Sequence, residues 1–248
     1  MSREGQRSIL YSLLNRDSQT AAAHQLCACA SVRKRVAIRA PQLVYKAASD
    51  VLIKTFRFVK NVPCFRGLPA EDQLRLVRNS WAPLLVLGLV QDSVDFDTVE
   101  TQQPSLLHRI LTHDKGGRDY DPGVPVGDVE GVKMVLVMCR GLKMSVTEFA
   151  FLKGAILFSP EVTELECREY IQALQREAER ALYEHAKTVQ LGNAARFDKL
   201  RVVRDTLRSM DPEAVAGLFF RPVISSVDEH VLAMFYDSED PSEEEVWD

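Results

Sequence analysis

A run of seven apolar residues, Leu84 to Val90, places the strongest constraint on how this chain can fold. The run ends a longer helical pattern, from about Ala70 to Gln91, whose first half is apolar on one face only. A helix that is apolar on every side belongs in the middle of a large core. Because single cores stop growing near roughly 250 to 300 residues, a chain of 248 residues has room for one such core. The sequence therefore predicts one helical domain built around this segment.

Helical periodicity predicts further helices on both sides of this segment. One begins at Pro41, which suits the first turn because its missing N–H is not needed there, and Pro63 ends it. Ser145 and Glu148 have the spacing of a capping box, and Asp211 precedes a proline as an N-cap does. The other helices are expected at about 105–111, 129–140, 145–158, 167–189, 195–209 and 212–220. Together with an extended piece at 94–99 and a glycine- and proline-rich loop at 115–127, they indicate an all-α fold with at most one small β-hairpin.

The two ends of the chain differ in composition from its middle. Residues 1–40 are polar and rich in alanine and arginine, which predicts a flexible tail. Residues 41–236 carry the helical pattern and form the predicted domain. Residues 237–248 hold seven carboxylates and are expected to be a solvated acidic tail.

Composition and motifs disfavour several classes of function. The net charge of −4 argues against a large phosphate-binding face, so direct DNA binding is not expected. The five histidines are scattered, and no metalloprotease, phosphate-loop or nucleophile-elbow motif occurs, so we expect neither an enzyme nor a cofactor. Cys27 and Cys29 lack the second pair of ligands that tetrahedral zinc needs, so no metal is expected. An odd number of cysteines, no signal peptide and no apolar run near about 20 residues predict a soluble intracellular protein.

A short apolar cluster in the N-terminal tail matches the LxxLL box. On a helix, Leu10, Leu13 and Leu14 lie on one face and form a compact apolar knob that can enter a groove on a partner. The alternative is a chance match, because about one window in a thousand fits the pattern at ordinary leucine frequency. The polar tail offers these leucines no core to join, which favours the partner-binding interpretation.

Three blocks, one after another along the chain, resemble the ligand-binding domain of nuclear receptors. The first runs from Phe58 to Trp81. The second block, 148–160, resembles helix 8 of that family, and the third, 196–209, resembles helix 10. The chain departs from the family at Val59, usually a small residue or isoleucine, and at Pro83, commonly glutamate. The resemblance covers about residues 41–236 and implies the family's three-layer helical sandwich. The first block has the family's spacing across helices 3 to 5 and consists of Phe58-Val59-Lys60, Phe65, Leu68, Asp72-Gln73, Leu76-Val77 and Trp81.

Within that family the chain resembles the atypical orphan receptors that lack the two-zinc DNA-binding domain. Residues 8–14, 56–60, 63–65 and 219–224 are similar to the adrenal-hypoplasia, sex-reversal type, whose sister is the small heterodimer partner. The resemblance implies a transcriptional corepressor of nucleus and cytoplasm. Its implied partners are other nuclear receptors, of the steroidogenic-factor, liver-receptor-homologue and steroid-receptor types, and corepressors. It also implies a homodimer or a heterodimer with the small heterodimer partner, without zinc-finger DNA binding and without a membrane.

The resemblance also implies a site. In nuclear receptors a lysine of helix 3 and a glutamate of the last helix hold the two ends of a bound LxxLL helix, and Lys60 occupies the lysine position. Gln73 lies in the same signature. The last-helix pattern aligns with Val231, Leu232, Met234 and Phe235, so that Met234 replaces the glutamate. Ordinary coactivator recruitment is therefore in doubt.

Two further segments are candidate partner surfaces. Leu107, Ile110 and Leu111 form an LxxIL box, for which an ordinary amphipathic core helix is the alternative. Pro63-Cys64-Phe65 would lie beside the groove, and the alternative is a buried turn that joins two helices.

A rival function is a ligand-activated receptor. Its lipid or steroid pocket would lie between the helix from Pro41 and the helix from Ala195, unless Phe56, Phe58 and Phe151 fill that space. An enzyme on a helical scaffold is a third reading, for which the sequence holds no positive residue set.

Overall fold

The computed structural model describes residues 35–101, 123–189 and 194–238. Within these ranges the chain forms three short strands and nine helices. In chain order they are β1 (Arg35–Ile38), α1 (Pro41–Lys60), α2 (Pro63–Arg66), α3 (Ala70–Gln91), β2 (Thr98–Thr101), β3 (Val124–Pro125), α4 (Val126–Leu142), α5 (Val146–Leu157), α6 (Arg168–Val189), α7 (Ala194–Arg208), α8 (Pro212–Phe219) and α9 (Val227–Asp237). Helices α1, α3 and α5 to α8 agree with the predicted bounds to within one or two residues at each end, apart from the earlier end of α1 at Lys60.

Helix α3 is the centre of the fold, as its composition predicts. Its second half, from Ser80 to Val90, is buried along every face. Helices α1, α8 and α9 pack against it, and so do α4, α5 and α7, while α6 lies against α5 and α7. The helices therefore stack in layers with α3 inside, which confirms the predicted helical sandwich.

Helices α1 and α3 approach closely at Gly88. A methyl group at this position would lie 2.6 Å from Cγ1 of Val51 and 3.2 Å from the Thr55 hydroxyl. Glycine is therefore needed at this crossing, because any larger residue would push the two helices apart.

The β structure is larger than the predicted hairpin. Strand β1 lies between β2 and β3 and is antiparallel to both, with Val36 opposite Glu100 on one side and Val124 on the other. Residues 35–38, assigned to the flexible tail from the sequence, are therefore part of the fold, and Val36 and Ile38 are buried. Gly123 turns the chain into β3 with φ of 70°, and a Cβ there would lie 2.3 Å from the Val36 carbonyl oxygen.

Buried polar contacts fix the layers to one another. Glu148 completes the predicted capping box with Ser145 and also receives two hydrogen bonds from Arg196, at 2.7 and 2.8 Å. Burial alone would raise the pKa of Glu148, but the hydrogen bonds from Arg196 and Ser145 outweigh it and hold the pKa below its ordinary value. On α3, the fully buried Asp72 accepts hydrogen bonds from the backbone N–H groups ahead of α6.

Several predictions fall outside the described residues. They are the LxxLL box at Leu10, Leu13 and Leu14, the second box at Leu107, Ile110 and Leu111, the helix at 105–111, most of the loop at 115–127, Cys27 and Cys29, and the acidic segment after Ser238. In the ranges that the structure does describe, no helix has the length and apolarity to cross a membrane.

Candidate functional site: the surface around Lys60

The C-terminal end of α1 carries the lysine that the resemblance singles out. Arg57 and Lys60 stand one turn apart in the last turn of α1, where cations interact favourably with the helix dipole. Asn61 ends the helix, and the short helix α2 begins at Pro63. Lys60 therefore sits at the corner between α1 and α2, partly exposed.

The last helix, α9, packs against this corner through Phe235. The Phe235 ring is buried edge-on against Phe56, at 5.5 Å between centroids, and against Phe65, at 6.3 Å. The ammonium group of Lys60 lies 4.8 Å from the Phe235 ring centroid and donates a hydrogen bond of 3.2 Å to the Tyr236 carbonyl. Lys60 thus binds a carbonyl at the C-terminal end of the chain's own last helix, where a helix leaves its carbonyls unpaired.

The other end of α9 is held by His230, near the start of the helix. The Tyr45 hydroxyl lies 2.9 Å from Nε2 of His230, and the two rings stack at 5.7 Å. Phe220 packs edge-on against both rings. Burial lowers the pKa of His230, which keeps the imidazole neutral. No sequence motif marks this contact, because its two partners are 185 positions apart.

Met234, which the sequence aligns with the clamp glutamate, is buried in α9. It is only 5% exposed and faces the core with Val231 and Phe235. The neighbouring Ala233 is exposed, while Leu232 is partly buried. Neither Met234 nor the exposed Ala233 beside it carries a carboxylate.

The segment Pro63-Cys64-Phe65 begins the short helix α2 and is buried only at Phe65. Phe65 is fully buried, Cys64 is partly buried and Pro63 is exposed. Gln73 donates hydrogen bonds to the carbonyls of Leu68, at 2.9 Å, and Arg66, at 3.4 Å. Gln73 therefore ties the turn after α2 to α3.

Aromatic side chains occupy the interior between α1, α3 and α8. Phe220 is fully buried and contacts Trp81 of α3 at 5.9 Å between centroids, and Phe219 contacts Phe96 at 5.2 Å. Phe56 of α1 is also fully buried and packs against Phe235, whereas Phe58 and Phe151, the other candidates for filling a pocket, are partly buried. Helices α3, α9 and α8 all pack directly against α1.

Helix α5 carries a buried lysine that no sequence motif marks. Lys153 is 6% exposed, and its ammonium lies 5.2 Å from the Phe58 ring centroid. Burial lowers its pKa to about 8, although the nearby Asp92 carboxylate opposes that shift. The described residues hold no cluster of three or more side chains that could bind a metal ion.

Comparison with known proteins identifies the family. The family model described as the ligand-binding domain of nuclear hormone receptor matches residues 40–221. Similar proteins are "Nuclear receptor subfamily 0 group B member 1" of Sus scrofa, 42% identical over 81% of this chain and 47% of the relative, and of Homo sapiens, 41% identical over 80% and 47%. The Callithrix jacchus protein of that name is 40% identical over 92% of this chain and 55% of its own length, so the chain spans about half of these relatives. With its central α3 and a family match over most of the chain, the protein belongs to the nuclear hormone receptors and has the fold of their ligand-binding domain.

Proposed function

We propose that the protein is a transcriptional corepressor that binds other nuclear receptors through its LxxLL box, blocks their coactivators and recruits corepressors. The observation that carries this proposal is the contact between Lys60 and the protein's own last helix. A clamp lysine that already binds a carbonyl of α9 supports a role other than ordinary coactivator recruitment.

The composition of α9 supports the same conclusion. The clamp of a nuclear receptor needs a carboxylate on the last helix to receive the N–H groups at the start of a bound helix. Here the two candidate positions hold Ala233 and Met234. A coactivator helix on this surface would gain no hydrogen bonds from either side chain, and Lys60 would have to leave Tyr236.

The LxxLL box supports the second part of the proposal, binding to other receptors. Leu10, Leu13 and Leu14 have the spacing that fits the apolar groove of a receptor whose lysine and glutamate are intact. By resemblance, such receptors are of the steroidogenic-factor, liver-receptor-homologue and steroid-receptor types. Occupation of their groove by this box would exclude coactivators by direct competition, and the site of action would be the nucleus.

A capture experiment tests the box. The full chain is immobilised, and the purified ligand-binding domain of a steroidogenic-factor-type receptor is added. Leu13→Ala with Leu14→Ala should abolish capture, whereas Ser12→Ala, which leaves the apolar face intact, should not change it. Thermal unfolding should be the same for all three chains. Full capture by the double leucine variant would overturn the proposal.

The rival of a lipid-activated receptor predicts a different result. Native mass spectrometry of the purified chain would reveal a stoichiometric lipid if the interior held one. Phe56, Trp81, Phe219 and Phe220 are buried in the described interior. Bulky aromatic side chains there reduce the space for a lipid, which supports the corepressor over the rival.

A further inference from the structure

The outer face of helix α4 is apolar at its centre. Met134 and Val137, near the middle of the helix, are 63% and 69% exposed. The residues that α4 buries lie on its other side and are Val129, Val132, Val135, Leu136 and Cys139. A surface helix normally presents polar and charged side chains to water. The outer face of α4 therefore has the composition of a contact surface.

The exposed positions of α4 recur with the spacing of a helix–helix seam. They are Gly127, Glu130, Met134, Val137 and Gly141, which follow one another in steps of three and four residues. Such steps keep residues along one side of a helix, where a second helix can pack against them. We refer to these five residues as the α4 seam.

The α4 seam is symmetrical about Met134. Gly127 and Gly141 each lie seven positions from it, in opposite directions along the helix. A Cβ at either glycine would meet no neighbouring atom of the described residues within 4 Å, so the packing of those residues does not require glycine there. Without a Cβ, each position lets another backbone approach closely. In a second α4 crossing antiparallel at Met134, Gly127 of each copy would face Gly141 of the other.

The charges at the two ends of α4 favour the antiparallel arrangement. Asp128 and Glu130 are exposed in the first turns, and Lys143 is exposed at the C-cap. Arg140, in the last turn, is already paired with Asp95 at 2.6 Å, so Lys143 is the cation that a partner would meet. A second copy running in the opposite direction brings an acidic end to a basic end twice, whereas a parallel copy would bring like charges together.

We propose that α4 is the contact surface of a homodimer, in which two copies of the chain cross antiparallel about a two-fold axis at Met134. A two-fold dimer uses the same patch on both copies, so the patch must be complementary to itself. The α4 seam meets that requirement through its apolar centre and its oppositely charged ends.

Neighbouring apolar residues extend the surface. Met138 and Leu142 of α4 are partly buried, and with the exposed Val202 of α7 they line a shallow groove beside the α4 seam. The rim of this groove carries one charge of each sign, on Asp198 and Lys199. The inference concerns assembly of the chain with itself and does not depend on the proposed corepressor function.

Sedimentation equilibrium of the full chain, from micromolar to near-millimolar concentration, tests the surface. The unaltered chain should dimerise. Met134→Glu with Val137→Glu brings like charges together at the axis and should raise the dissociation constant of the dimer at least about tenfold. The control, Leu43→Glu with Tyr170→Glu, makes the same change of net charge at exposed apolar positions of α1 and α6 and should leave that constant unchanged. Thermal unfolding at micromolar concentration should be the same for all three chains.

Charge exchange tests the orientation. Glu130→Lys and Lys143→Glu should each weaken the dimer, because each brings like charges together across an antiparallel contact, and an equimolar mixture of the two variants should recover the original affinity. In a parallel dimer neither single change would create a new repulsion. A chain that stays monomeric throughout, or a dimer whose affinity ignores the changes at Met134 and Val137, would overturn the proposal. Single charge changes without effect would overturn the antiparallel arrangement.

Discussion

Nζ of Lys60 lies over the ring of Phe235, 4.8 Å from its centroid. The residue that the family uses to hold a partner helix thereby contacts the protein's own last helix twice, through this ring and through the Tyr236 carbonyl. Because Phe235 is itself buried between Phe56 and Phe65, the contact between Lys60 and α9 links a surface cation to the core.

Replacing Lys60 by alanine should loosen α9. The change removes the cation–π contact and the hydrogen bond, and at a partly exposed position the loss in the free energy of unfolding should be about 1 kcal/mol or less. Hydrogen exchange should accelerate in α9 and stay unchanged in α5. Lys187→Ala, on an exposed position of α6, is the control. Equal rates of hydrogen exchange in α9 for the two variants would contradict this role of Lys60.

Glu148 should be among the residues most costly to truncate. Glu148→Ala removes half of the capping box and leaves Arg196 without its carboxylate in a mostly buried position, which should cost about 3 to 5 kcal/mol in urea unfolding. Glu148→Gln keeps the capping geometry and should cost less. The lowered pKa adds a pH test: stability from this pair is full above the carboxyl's unfolded pKa of 4.5 and is lost as pH falls below it. Glu148→Gln should lack that acid-dependent loss.

Lys153 should make the protein more stable at alkaline pH. The buried amine releases its proton near pH 8 in the folded state and near 10.5 when unfolded. Between these values the unfolded chain binds more protons, so the free energy of unfolding should rise with pH, by up to about 3 kcal/mol. Lys153→Met should be more stable than the unaltered chain at about pH 7 and lose this rise. Parallel curves for the two chains between about pH 7 and about pH 10 would contradict the prediction.

Two glycines should respond in opposite directions to the same substitution. Gly88→Ala drives a methyl group into Val51 and should destabilise the fold by about 1 to 3 kcal/mol. Gly131→Ala, in α4, meets nothing within 4 Å and should stabilise by about 0.5 to 1 kcal/mol through helix propensity. Chemical denaturation of the two variants measures both signs.

Local patterns explain which parts of the fold could be predicted. The bounds of α3 follow from apolar spacing, and Ser145 and Glu148 announce the start of α5 by their spacing alone. Strand β1 was missed because its four residues lie in an alanine- and arginine-rich stretch, and their partners at 98–101 are 60 or more positions away. Such non-local pairing leaves no periodic trace in the strand itself.

The candidate site could likewise be predicted only where a local pattern marks it. The family spacing singles out Lys60, but the burial of Met234 does not follow from the sequence, because Val231 to Phe235 is apolar at nearly every position. Only the packing of Phe235 against Phe56 decides which of these residues face inward. The contact between Tyr45 and His230 is likewise a product of the assembled fold.

The middle position of β1 in the sheet also determines how the LxxLL box is attached to the domain. Because β1 is hydrogen-bonded to a strand on each side, it cannot detach without breaking up the sheet. It therefore anchors the segment before Arg35 to the domain. Twenty residues separate Leu14 from Arg35, a tether of at most about 70 Å. On the proposed function, a receptor caught by the box stays within that radius, where even a weak second contact between the two domains becomes effectively intramolecular.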